Sequence, residues 1–209
     1  WTLPTLEPLG DSTASSMYPV LSPDGRLLIF STYRPAGGDS GNANLWAARR
    51  EGDGWGPPFP LAGASTPANY DASPWFGPGE ELRFSSTSPD WRETSPRLAR
   101  PTRDGYGGWE PDPVLDDLPL PRTTHHVWSG ILNRTGTLAV VELSERRADG
   151  TLGDADLWLL RHDASGWSAP VRLGQGVNTP GTENFATFAD DSTLVFVRDF
   201  SRFLRVRLR

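Results

Sequence analysis

A unit of about 55 residues recurs four times along this chain, and no other feature restricts the fold as tightly. Its clearest copies are YPVLSPDGRLLIFS, SPWFGPGEELRFSS, SGILNRTGTLAVVE and FATFADDSTLVFVR. Their anchor residues Leu21, Phe76, Leu132 and Phe188 lie 55, 56 and 56 apart. A fixed period near 50 marks an array in which each unit buries its apolar face only against its neighbours.

Each unit divides into four runs of strand length. Strand a carries the anchor and ends in a polar turn such as Ser22-Pro23-Asp24-Gly25 or Asn133-Arg134-Thr135-Gly136. Pro, Asp, Asn and Gly preset or tolerate the dihedrals of such turns. Strand b follows at once as Leu27–Phe30, Leu82–Phe84, Leu138–Val141 and Leu194–Val197. Strand c contains Asn44-Leu45-Trp46-Ala47, Pro96-Arg97-Leu98-Ala99, Asp156-Leu157-Trp158-Leu159 and Arg202-Phe203-Leu204-Arg205. Strand d is Trp55–Leu61, Trp109–Leu115 and Trp167–Leu173. The last unit ends without a d strand, while the opening WTLPTLEPLG reads as an orphan one. The expected fold is therefore all-β: a single four-bladed β-propeller over residues 1–209, closed by the N-terminal strand completing the C-terminal blade. Its repeats run roughly over 11–61, 62–115, 116–173 and 174–209 plus 1–10. Closure covers the sheet edges that an open array exposes, and a ring made by one molecule predicts a monomer. Trp46, Trp75, Trp158, Phe30, Phe84 and Phe196 are the expected packing between sheets.

Composition fits many short strands, with 22 Gly and 20 Pro for turns and nine Trp and nine Phe for packing. No run approaches the ~20 apolar residues that cross a bilayer as a helix. The net charge of −6 gives no basic footprint for nucleic acid. All 20 basic residues are Arg, and Lys and Cys are absent, so neither disulfides nor thiolate metal sites contribute. The first residue is Trp1 rather than Met, which leads one to expect that an upstream segment was removed, either a signal peptide or a stretch cut away at an artificial boundary.

The SPDG turn, the D-L-W strand, the G-W-x-x-P-x-x-L-G segment and Asn178-Thr179-Pro180 resemble TolB-type, WD-like β-propeller repeats, as found in bacterial envelope proteins beside peptidoglycan-associated domains. The resemblance covers essentially the whole chain. It implies a rigid ring used for binding, in the periplasm or secreted outside the cell, and it carries no catalytic role across. Relatives in that family commonly have six blades.

Long connections gather at one end of such a ring. The b–c loops are expected over Ser31–Ala43, Thr87–Ser95 and Leu143–Ala155, and the d–a loops over Gly10–Ser16, Ala62–Asp71, Asp116–His126 and Gly174–Glu183. Function concentrates on long loops held by a rigid scaffold. Aligned on the anchors, Tyr70, Asp71, His125, His126, Glu183 and Asn184 form a candidate polar ring at the channel mouth. Asp71 and Glu183 read first as acceptors that brace loops. Their other role would be a carboxylate pair for glycan cleavage, which needs separations of ~5–9.5 Å. His125 and His126 are either loop imidazoles or ligands to a metal or haem in the channel; His162 is the third histidine. No cofactor is otherwise expected. Arg34, Arg92 and Arg146 lie in comparable loops and could form an anion-binding rim. Asp90 to Glu93 and Glu142 to Arg147 read as solvated loop charges, and Asp149 to Asp156 as a turn rather than a calcium loop. The expected function is non-enzymatic binding of a protein, peptide or glycan through this face. The alternatives are a ligand, metal or haem carrier using His125 and His126, and a small glycan-cleaving hydrolase.

Overall fold

The computed structural model describes residues 9, 14–35, 41–65, 68–77, 79–90, 94–102, 108–112 and 118–208. Among them there are seventeen strands and no helix. They form four antiparallel sheets in sequence order, one per repeat. The first sheet holds β1 (Ser16–Leu21), β2 (Leu27–Thr32), β3 (Asn44–Glu51), β4 (Gly54–Trp55) and β5 (Phe59–Pro60). The second holds β6 (Tyr70–Phe76), β7 (Leu82–Thr87), β8 (Thr94–Pro101) and β9 (Trp109–Asp112). The third holds β10 (His125–Leu132), β11 (Leu138–Arg146), β12 (Leu152–Asp163), β13 (Gly166–Trp167) and β14 (Val171–Arg172). The fourth holds β15 (Glu183–Phe188), β16 (Thr193–Arg198) and β17 (Arg202–Arg207). This is the four-bladed β-propeller that the repeat period predicts.

The innermost strands β1, β6, β10 and β15 meet around an axis: β6 packs on β1 and on β10, and β10 packs on β15. Tyr18 of β1 meets Phe185 of β15 with ring centroids 5.3 Å apart, which joins the last blade to the first. The expected N-terminal strand falls on residues 1–10, and apart from Leu9 these lie outside the described residues.

The core lies between sheets. Leu27, Ile29, Leu45 and Leu61 of the first repeat pack with Leu82, Phe84 and Trp109 of the second. Val140 and Leu157 of the third pack with Leu194 and Phe196 of the fourth. Phe30 and Trp75 are also buried, while Trp46 and Trp158 are half-buried.

Every inner strand carries a β-bulge. Tyr18-Pro19 oppose Phe30, Ser73-Pro74 oppose Phe84, and Phe185-Ala186 oppose Phe196. In β10 the extra residue is Trp128. Tyr18, Ser73 and Phe185 have φ of 55°, 53° and 52°, in the left-handed region that non-glycine residues enter at a cost of about 1–2 kcal/mol. A bulge bends its strand and re-aims a side chain, and proline is tolerated there because the ladder is already broken.

Two expectations need correction. In the second blade strand d is unbroken over Trp109–Asp112, and the rest of its expected span lies outside the described residues. In the first and third it is split by Gly56-Pro57-Pro58 and by Ser168-Ala169-Pro170, where proline cannot donate to the ladder. Strand b of the third blade does not stop at Val141. It runs to Arg146, so the expected loop over 143–155 shrinks to Arg147–Thr151. Within it Glu142 is buried rather than solvated, as is Ser144.

Candidate functional site at the channel mouth

Because Glu183 pairs with Arg198 and His125 with Glu145, the d–a loops and the b–c turns share one end of the ring. The inner strands enclose an axial cavity of about 470 Å³. All four blades contribute to its wall, through Tyr18, Ser73, Trp75, Ser129, Ile131 and Thr187 among others. Among the described residues each inner strand pairs with a neighbour on one side only, and its other edge faces the axis.

A second cavity of about 220 Å³ adjoins the first between the third and fourth blades. Tyr18 and Phe185 line both. The second adds Trp128, Glu142, Asn184 and Phe200. Trp128 donates its indole N–H to Ser144 Oγ at 2.8 Å. Glu142 accepts from Ser129 Oγ at 3.0 Å. Burial pushes the Glu142 carboxyl up to about 7, against the pull of Ser129 and of the Phe185 backbone N–H. Burial likewise pushes the Tyr18 hydroxyl up to about 12, with the Glu142 charge adding to it.

The residues singled out by alignment have other surroundings, and none of them lines the axial cavity. Asp71 and Glu183 are both fully buried. Ser65 donates to Asp71 at 3.0 Å. Thr179 Oγ1 and Arg198 Nε donate to Glu183 at 2.7 and 2.8 Å. Both carboxylates therefore brace the d–a loops, the first of the two roles expected of them. His126 is buried, and its ring meets Trp128 at 4.3 Å and an Arg146 guanidinium nitrogen at 3.4 Å from Nδ1. Burial, then the Arg146 charge, lowers its pKa to about 4. His125 has Thr124 Oγ1 2.9 Å from its Nδ1 and meets Trp158 edge-on at 5.3 Å. It lines a separate polar cavity of about 350 Å³ in the third blade, beside Glu145, Asp156 and Arg172.

Tyr70 sits 6.1 Å from Tyr33, and burial pushes its hydroxyl pKa up. Arg34 is buried over Phe30 and Trp46 and donates to the Leu9 carbonyl. Arg146 donates to the His125 carbonyl at 3.3 Å. Arg92 lies outside the described residues. Arg146 is thus turned into its own blade, and Arg34 toward the rings of its own blade and the Leu9 carbonyl. Of the predicted ring only Asn184 reaches the second cavity, while Tyr18, Trp128, Glu142, Phe185 and Phe200 were missed. Superposing the four registers is the signal that finds Glu142, which takes the place of Ser31, Ser85 and Val197, all buried. Among the described residues no three His, Asp or Glu side chains gather as a metal-ligand set.

No family model matches the chain, and neither does any curated protein sequence. Solved structures share its fold. It matches puromycin hydrolase with a TM-score of 0.53 and 18% identity, over 91% of this chain and 26% of that one. A mutant of puromycin hydrolase complexed with PGG matches at 0.54 and 17%, over 95% and 28%. A structure from work on two prolyl endopeptidases gives 0.49 and 18%, over 94% and 26%. The chain therefore spans about a quarter of the length of these chains.

Proposed function

We propose that this chain is a non-enzymatic binding module that takes an extended segment of a protein or peptide partner in its axial channel. The observation that carries the proposal is the axial cavity of about 470 Å³ walled by all four inner strands. Its wall is apolar at Trp75, Ile131 and Phe185, and the inner strands turn one backbone edge toward the axis. An extended peptide suits such a wall, since its main chain supplies hydrogen-bond partners and alternate side chains fill apolar recesses. A glycan would find the aromatic rings but would not use the strand edges. The TolB-like repeats are consistent with a binding role at the bacterial envelope.

Thr187 tests this siting, because it is exposed and lines the cavity without belonging to the core. Peptides selected from a random octapeptide display library on the native chain are expected to bind Thr187→Arg at least tenfold more weakly, with unchanged thermal stability. Equal binding to the variant moves the site elsewhere. A selection that yields no peptide, while a glycan panel yields ligands, replaces the peptide with a sugar.

A further inference from the structure

We infer that the cavity between the third and fourth blades is an acceptor subsite for an alkylammonium group. Glu142 stands where the other blades place Ser31, Ser85 and Val197, so the repeat does not require a carboxylate there. Of the other buried acids of the described chain, Glu183 meets Arg198 at 2.8 Å, Glu81 meets Arg83 at 3.1 Å, and Asp71 accepts from Ser65 at 3.0 Å. No described cation pairs with Glu142, and no arginine lines its cavity. In the same cavity Asn184 is 3% exposed, and its Oδ1 has no hydrogen-bond partner among the described residues. A buried carboxylate met only by a hydroxyl and a backbone N–H, beside a buried amide oxygen with no partner, calls for a ligand that brings donors and positive charge.

The walls select the same chemistry. Tyr18, Phe185 and Phe200 form a chain of rings, with centroids 5.3 and 6.0 Å apart. Trp128 stands on the opposite blade. Aromatic faces attract cations, most strongly where water is excluded. Phe200 is 70% exposed and is held there by a turn in which Asp199 and Phe200 have φ of 49° and 54°. Packing gives no reason for a large ring in that position.

The donor count narrows the cation. Glu142 Oε2 already accepts from Ser129, so the paired acceptors that a planar guanidinium fork prefers are not both open. A quaternary ammonium has no N–H for Glu142 or Asn184. A primary ammonium has three donors, which can be shared between the Glu142 carboxylate and Asn184 Oδ1. The chain contains no lysine, so another molecule must supply the group. A lysine side chain and the free amino terminus of a peptide offer the same chemistry. The subsite rests on the proposed binding role only in expecting the ammonium to arrive on a peptide.

The titratable groups lining this cavity besides Glu142 are Tyr18 and Asp154. Tyr18 stays neutral well above neutral pH, and Asp154 adds negative charge. With the Glu142 carboxyl at about 7, only about one molecule in a hundred is ionised at pH 5, and an ammonium that needs the ionised form binds in proportion. The amine itself remains protonated throughout.

Calorimetric titration of the full chain with n-butylamine hydrochloride tests the assignment. Affinity is expected to rise on the order of fiftyfold or more from pH 5 to pH 8. Glu142→Gln should abolish the rise, and Phe200→Ala, at an exposed site that leaves folding intact, should weaken binding about fivefold. A flat pH profile, equal binding of n-butanol, or undiminished binding to both variants overturns the subsite. Tetramethylammonium binding as tightly as butylammonium shows that no N–H is read and overturns the assignment too. Two octapeptides then separate the sources, one lysine-containing with an acetylated amino terminus and one lysine-free with a free terminus. Butylamine binding with neither peptide bound keeps the subsite and sinks the peptide role. Peptides bound with no dependence on Glu142 do the reverse.

Discussion

Glu142 and Glu183 show how differently two buried carboxylates can sit in one fold. Glu183 has Arg198 and Thr179 as donors, so its charge is met inside the protein. Glu142 has a serine hydroxyl and a backbone N–H, and burial raises its carboxyl to about 7. The sign of the linkage follows. Between about pH 4.5 and 7 the folded chain holds a proton that the unfolded chain has released, so stability falls as pH rises through that window. The full cost is about 3 kcal/mol, present above pH 7 and absent below about 4.5. Glu142→Gln keeps the shape and cannot ionise. Urea unfolding should show the variant gaining on the native chain as pH rises from 4.5 to 7.5, and nothing below. His126, lowered to about 4, has the opposite slope, losing stability as pH falls below its unfolded value. For that reason the quantity to follow is the difference between native chain and variant. A constant difference across the range shows that Glu142 is hydrated in solution.

The strands show which patterns a sequence reveals and which it conceals. The a–b hairpins were legible because apolar runs meet turn residues at a fixed spacing, as at Ser22 to Gly25, where Ser22 Oγ accepts the Leu27 N–H at 2.9 Å. The end of β11 was not, because Glu142, Glu145 and Arg146 read as a solvated charge run although the residues between them are buried. The Asn178-Thr179-Pro180 stretch was visible as a motif, and its physics appears only in three dimensions. Asn178 Oδ1 accepts the Leu157 N–H at 2.9 Å, and Nδ2 donates to the carbonyls of Leu157 and Leu173 at 2.9 and 2.8 Å. The amide thus replaces a rung of ladder at the edge of β12. Ser65 does a smaller version for Leu45, whose N–H it accepts at 3.1 Å. Asn178→Ala is expected to cost about 2–3 kcal/mol, since it leaves the buried Leu157 N–H without an acceptor and takes a donor from the carbonyls of Leu157 and Leu173, of which the first keeps the Leu173 N–H, against about 1 kcal/mol for Ser65→Ala. Chemical denaturation of the two variants checks the order. Equal losses would mean that the d–a loop, rather than the amide, holds this edge.

At the scale of the molecule, the joints between blades are unequal. The first two blades share one buried cluster and the last two share another. The second and third meet where β10 packs on β6, β7 and β8, with the Trp75 ring against Gly130. Between the fourth and the first, the described contact is Tyr18 on Phe185, on two strands each bent by a bulge at that residue. The mouth and the neighbouring cavity both use this pair, so the joint that completes the circle also shapes the site. A ring pair at this spacing is worth about 0.5–1.5 kcal/mol beyond its burial. A double-mutant cycle of Tyr18→Ala and Phe185→Ala isolates that term, because alanine leaves the left-handed φ strain in place while removing the ring. Phe185→Gly relieves the strain as well and should recover about 1 kcal/mol relative to Phe185→Ala. A coupling within this range, together with weaker ligand binding in both single variants, ties closure to recognition. A coupling below about 0.3 kcal/mol, no larger than the error expected for distant sites, shows that the circle holds without the pair and that its rings serve only the site.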